Sequence, residues 1–142
     1  MNGKMPLKSK IVLMSTYGNY LKLRYRLKVI GKEKVKDLKG PAIVFVNHTH
    51  TLDPFWVSVK MPFHIRWVAG SYLFRMPLVS HLLSKWLGAI SKTQGRSDLE
   101  TIRSISKALK ENDIIGLFPE GTRTWDGNTV DIVGSTAKLV RM

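Results

Sequence analysis

Ala42-Ile43-Val44-Phe45-Val46, running directly into Asn47-His48-Thr49-His50-Thr51-Leu52-Asp53-Pro54, is the stretch from which the fold can be read. The first segment is continuously apolar, rich in β-branched residues and preceded by Gly40-Pro41, the pattern of a buried strand. The second is polar until Pro54, a residue suited to the first turn of a helix, with Asp53 ahead of it as the expected N-cap. Strand, polar loop and a helix over 55–60 therefore follow one another without a break.

The same unit recurs downstream. Ile114-Ile115-Gly116-Leu117-Phe118 reads as a second buried strand, and it feeds Pro119-Glu120-Gly121-Thr122-Arg123. Between the two units, Ile65–Ala69 is a predicted strand and Gly88-Ala89-Ile90 begins another. Pro77–Leu87 carries Leu78, Val79, Leu82, Leu83 and Trp86 at helical spacing. Ser97-Asp98-Leu99-Glu100 is a capping box, and the helix behind it is expected to bury Leu99, Ile102, Ile105, Ala108 and Leu109 before fraying at Glu111–Asp113. On the N-terminal side, Leu27–Ile30 reads as a short strand and 32–40 as a charged connection. Residues 131–142 read as the start of a further helix.

Alternating strands and helices imply an α/β fold, a single domain with a largely parallel central sheet flanked by helices. Residues 1–26 form a basic, amphipathic N-terminal segment and 27–142 the main domain. In such sheets chemistry gathers beyond the carboxyl ends of the strands, and the two most polar loops, 47–53 and 119–124, both follow apolar strands.

Charge and composition narrow the partners. The net charge of +13 is concentrated at the N-terminal end, where residues 1–40 hold eleven Lys and Arg against Glu33 and Asp37. Such an excess seeks a polyanion, either an anionic lipid surface or nucleic acid. Ile11, Met14, Tyr17 and Leu21, interspersed with Lys and Arg, suit a helix lying on a membrane surface or one packed on the core. No apolar run approaches the roughly 18 residues of a membrane span, and Ile11–Met14 is too short for a signal peptide. The chain has no cysteine, which excludes disulfides, thiolate metal sites and a cysteine nucleophile.

Two groups carry possible chemistry. On one helix His48 and Asp53 would be about 140° apart, so they meet only if the segment turns. In a turn, Asp53 can accept from one imidazole nitrogen and leave the other as a general base. Arg123, after Gly121, offers a two-pronged donor for phosphate. Other readings remain open on the residues alone. His48-x-His50 with Asp53 suits a zinc or two-metal hydrolase if the segment is extended, though His64 and His81 sit in no ligand pattern. Tyr17, Tyr20 and Tyr25 among Lys22, Arg24 and Arg26 suit a non-enzymatic RNA- or membrane-binding module. Trp56, Trp67 and Trp86 read as core, whereas Trp125 lies in the loop past Arg123 and suits contact with lipid or substrate.

Taken together, Asn47-His48-x-x-x-x-Asp53 and Phe118-Pro119-Glu120-Gly121-Thr122-Arg123, about seventy residues apart, resemble two signature blocks of the glycerol-phosphate and lysophosphatidic-acid acyltransferase family. Val29–Glu33, Gly40–Ile43 and Leu87–Ile90 resemble it as well, so the likeness spans roughly residues 25–140. The resemblance implies that His48 deprotonates an acceptor hydroxyl and that Asp53 orients the imidazole. The hydroxyl then attacks the thioester of acyl-CoA or acyl carrier protein, with no acyl-enzyme, no metal and no cofactor. It also implies that Glu120, Gly121, Thr122 and Arg123 bind the phosphate side of the acceptor, with Asn47 among the substrate-binding residues. The expected partners are the acyl donor thioester, a phosphorylated lysolipid such as 1-acylglycerol 3-phosphate and an anionic membrane surface, and no nucleic acid. The expected location is peripheral, on the cytoplasmic face of a membrane, in phospholipid biosynthesis. Two departures stand out. Gln94 occupies the place of the family's middle arginine, which leaves Lys92 or Arg96 to supply that charge. The family's further apolar strand with a Val-Pro pattern is absent, so the chain is expected to be truncated at its C-terminus.

Overall fold

A computed structural model of the chain describes residues 18–20, 23–26, 28–93 and 99–126. Its centre is a four-stranded, fully parallel sheet built from β1 (Ala42–Phe45), β2 (Ile65–Gly70), β3 (Ile90–Lys92) and β4 (Ile114–Leu117), in the order β1-β4-β2-β3. The chain crosses from β1 to β2 through α1 (Asp53–Lys60), and from β3 to β4 through α3 (Leu99–Lys110). Between β2 and β3 lie a 3₁₀ helix (Ser71–Arg75), α2 (Pro77–His81) and a π-helical turn (Leu82–Trp86). The expected α/β architecture with a parallel sheet is therefore observed.

Side chains alternate across the strands, as the pleat requires. On one face Ile65, Trp67 and Ile114 are buried, with Ala42, Val44, Val57, Met61 and Phe118 packed against them. On the other, Ile90, Ile105, Ala108, Ile115 and Leu117 form the core beneath α3. β4 is buried along its whole length, as its apolar run predicts. Gly116 has a specific reason to be glycine. A Cβ there would lie 2.5 Å from Cε3 of Trp67 and 2.7 Å from Cγ2 of Ile65. The indole thus crosses the strand where the side chain is missing.

Several expectations need correction. Among the described strands β1 is at the edge, only half buried, with Phe45 exposed; its apolar run matches an interior strand in composition but not in position. Asp53 is not the N-cap. Leu52 occupies that position, and Asp53 turns its carboxylate back onto the preceding loop. Lys28–Ile30 is not a strand, and the charged connection after it holds a short 3₁₀ helix, Lys32–Lys34. The helix over 77–87 switches to π geometry at Leu82, where Leu87 N–H reaches Leu82 O at 3.0 Å. In α3, Leu99 is 65% exposed, while Thr101 is buried and donates to Ser91 O at 2.9 Å.

Ser97 of the capping box, Gln94, Arg96 and residues 131–142 lie outside the described residues, as does most of the N-terminal amphipathic stretch. Within that stretch, residues 18–20 and 23–25 are helical, and the Tyr25 ring meets Trp56 of α1 at 5.3 Å. At the amino end of the sheet, Arg66 donates to Asp113 at 2.7 Å and to Gly88 O at 2.8 Å, which ties β2 to the entries of β3 and β4.

Candidate active site

β1 and β4 are parallel neighbours, so the loops that follow them leave the same edge of the sheet. Val46 N–H extends the pairing by donating to Leu117 O at 3.0 Å, one residue before the polar segment begins. Asn47 then lies exposed, and the chain folds into a turn closed by Asp53 N–H on His50 O at 3.0 Å.

That turn brings His48 and Asp53 together. His48 Nδ1 lies 2.9 Å from Asp53 Oδ2, and the same oxygen accepts the backbone N–H groups of Thr49 and His50, each at 2.8 Å. A carboxylate can only accept, so Nδ1 carries the hydrogen and Nε2 keeps its lone pair. Asp53 is 7% exposed, so its three donors replace the water it lost on burial. The imidazole is held on its face as well: it stacks on Phe118 at 4.0 Å, and Phe118 stacks on Trp67 at 5.0 Å. Trp67 Nε1 in turn donates to Ser58 Oγ of α1 at 2.9 Å. The His48 imidazole is therefore fixed in plane by a carboxylate and on one face by a pile of aromatic rings.

The second loop is fastened to the first. Thr124 N–H donates to His48 O at 2.9 Å, and Arg123 Nη1 donates to Thr51 Oγ1. The Arg123 guanidinium also sits 5.4 Å above the ring of Trp125, which is 87% exposed. Gly121, Thr122 and Arg123 are exposed on this loop, but Glu120 is only 4% exposed, and its Oε2 has no hydrogen-bond partner among the described residues. Glu120 thus lies beneath the exposed residues of the loop, and any contribution it makes to phosphate binding is indirect. Lys92 closes β3 level with Gly70 of β2, at the same end of the sheet. One strand, β2, lies between it and β4, a lateral distance of roughly 10 Å.

His50 does not join His48. The segment turns instead of extending, and the His50 ring stacks on Trp56 at 4.7 Å while its Nδ1 accepts Leu52 N–H at 3.1 Å. Among the described residues no three His, Cys, Asp or Glu side chains gather as metal ligands. Sequence reasoning missed Phe118, Thr51 and Thr124. Phe118 ends the apolar run beside the loop, a placement that hinted at a role. For Thr51 and Thr124 the sequence held no signal, because their partners come from the other loop.

Comparison with known proteins identifies the family. The Acyltransferase family model matches residues 26–142. A 1-acyl-sn-glycerol-3-phosphate acyltransferase of Bacillus subtilis is 30% identical over 73% of this chain and 52% of its own length. One of Helicobacter pylori is 32% identical over 71% of the chain and 43% of its own length. One of Arabidopsis thaliana chloroplasts is 24% identical over 72% and 29%. The chain thus spans about half or less of the length of these relatives. No solved structure matches it. With both loops inside the matched span, the chain belongs to the acyltransferase family.

Proposed function

We propose that this chain carries the catalytic half of a glycerolipid acyltransferase that esterifies a lysophospholipid, with 1-acylglycerol 3-phosphate as acceptor. The observation that carries this reading is the His48–Asp53 pair at 2.9 Å beneath a loop that presents Arg123. Nε2 of His48 takes the proton of the acceptor hydroxyl as that oxygen attacks the thioester carbonyl. The tetrahedral intermediate collapses, the carbon–sulfur bond breaks, and the imidazolium returns its proton to the departing thiolate. One ester forms and one thiol is released. The enzyme forms no covalent bond, in keeping with a chain that has no cysteine. Arg123 grips the acceptor's phosphate with two parallel hydrogen bonds. Either acyl-CoA or acyl carrier protein serves as donor. The named activity of the relatives supports this acceptor.

The chain works on the cytoplasmic face of an anionic membrane, held by the charge of residues 1–40. No helix among the described residues is long and apolar enough to cross a bilayer.

The test is an acyl-transfer assay on this chain and on a C-terminally longer form, with a panel of lysophospholipids and both donor types. Thiol release can be followed without background from the protein, which has no thiol of its own. Diacylated product from a phosphorylated lysolipid is expected, unaffected by chelators. Absence of transfer to every acceptor, with an ester hydrolysis that zinc restores after chelation, would leave the metal-hydrolase reading standing instead. Salt-sensitive binding to oligonucleotides, absent with lipid vesicles, would favour an RNA-binding module.

A further inference from the structure

Just past the carboxyl end of β2, the 3₁₀ helix Ser71–Arg75 and α2 present a surface that the catalytic chemistry does not use. Tyr72 and Met76 are more than half exposed, and Leu78 is 86% exposed. In a 3₁₀ helix residues three apart eclipse, so Tyr72 and Arg75 share a face. Leu78, His81 and Lys85 follow at helical spacing and are all exposed, while Leu83 points into the protein. The tyrosine is held in place: a Cβ on Gly70 would lie 2.5 Å from its Cε1, so the ring lies directly over the strand's end. Apolar tips and cations thus alternate on one ledge, at the end of the sheet that also carries the loops of His48 and Arg123.

Charge indicates what covers this ledge. Residues 71–85, which form the ledge, contain no aspartate or glutamate, yet they hold Arg75 and Lys85, both exposed. A stretch so free of acid repels nothing anionic. Exposed tyrosine, methionine and leucine flanked by Arg and Lys have the amphiphilic character of an interfacial segment, with apolar tips entering the acyl boundary and cations meeting headgroups. We infer that the ledge of Tyr72, Met76 and Leu78, with Arg75 and Lys85, is a lipid-contact surface that seats the carboxyl edge of the sheet on an anionic bilayer. It is a second contact, separate from the basic N-terminal segment. The inference rests on the proposed acyl transfer in one respect: a lipid acceptor gives that edge a reason to face the bilayer.

The lack of cysteine makes the test local. Leu78→Cys and Ser104→Cys, the latter on the exposed side of α3, each give the full chain one site for a polarity-sensitive fluorophore. Vesicles of equal parts phosphatidylcholine and phosphatidylglycerol, or of phosphatidylcholine alone, are then added. A blue shift at position 78 with the mixed vesicles, and none at 104, is expected. In the Leu78→Cys background, Arg75→Gln and Lys85→Gln should each weaken the vesicle affinity read by that shift about fivefold, the value of one surface cation near an anionic leaflet. The inference is overturned if position 78 stays unshifted while the protein sediments with the vesicles, or if 78 and 104 shift alike. It is equally overturned if the shift at 78 appears on raising protein concentration without lipid, since a second copy would then cover the ledge. Transfer to a short-chain acceptor, dispersed as monomers, is measured in parallel. Transfer without a shift at 78 sinks the membrane inference alone, and a shift without transfer to any acceptor supports it while sinking the proposed function.

Discussion

The backbone amide of Thr124 donates to the carbonyl oxygen of His48 at 2.9 Å, so the loop after β4 is fastened to the loop after β1 at the proposed base itself. The threonine hydroxyl contributes little, since its Oγ1 stands 3.5 Å from the same oxygen. Thr124→Val keeps the amide and is expected to retain most activity. Thr124→Pro removes the donor and lets the two loops part. A displacement near 1 Å at a catalytic group costs on the order of 10²-fold, and kcat/KM of the two variants reads the difference directly.

His48 and His50 separate the candidate mechanisms. His48→Ala removes the base and should lower kcat by about 10²–10⁴-fold, with the circular dichroism spectrum unchanged. His50→Ala removes a ring that only stacks on Trp56 and accepts one backbone hydrogen bond. Its effect on kcat should be within a few-fold. A larger loss from His50→Ala than from His48→Ala would contradict the assignment of the base.

Arg123→Lys keeps the charge but loses the planar fork and its hold on Thr51 Oγ1. KM for the phosphorylated acceptor should rise, roughly tenfold for 1.4 kcal/mol lost, while KM for the acyl donor changes little. Thr51→Val leaves the guanidinium in place but untethered, so it should raise the acceptor KM by less. An Arg123→Lys defect confined to the donor would reassign this loop to the acyl carrier.

Gly116→Ala tests the packing under the site. The added methyl meets Trp67 and Ile65 at distances real Cβ atoms do not adopt, so the indole must shift. Overpacking of this kind costs about 1–3 kcal/mol, readable as a lowered denaturation midpoint at unchanged slope. Trp67 supports Phe118, which supports His48, so activity should fall as well in molecules that remain folded. Equal stability of variant and parent would show that the strand can relax around the methyl.

Much of this was legible because the signals were local. The apolar runs of β1 and β4 and the polar loops after them mark both halves of the candidate site, and the His48–Asp53 spacing allows the pair to meet only in a turn, which is observed. Position within the sheet was not legible. β1 and β4 have similar composition, yet one is an edge and the other an interior strand, because neighbours in a parallel sheet are set by the crossovers and not by the strand's own residues. Asp53 beside Pro54 has the local chemistry of a cap, but burial favoured the three donors of the preceding turn over the helix. The exposure of Leu99 and burial of Thr101 show the same limit: apolar spacing put Leu99 on the buried face, whereas the face that meets the sheet is that of Thr101, Ile105 and Ala108.

The strand order also constrains how the protein comes to be made. β4 emerges after β1, β2 and β3 during synthesis, yet it lies between β1 and β2. Until it arrives, these two earlier strands share no hydrogen-bonded neighbour, and the partner of Ala42 is Ile114, far along the chain. Pairing over such separation is slow, because the entropy of closing the loop is lost before any contact offsets it. A nascent chain arrested before Ile114 therefore has unpaired apolar edges and no seat for Phe118 beneath His48. The His48 loop should gain its support in one step, when β4 inserts, and the interval before that step is when the chain most needs a chaperone.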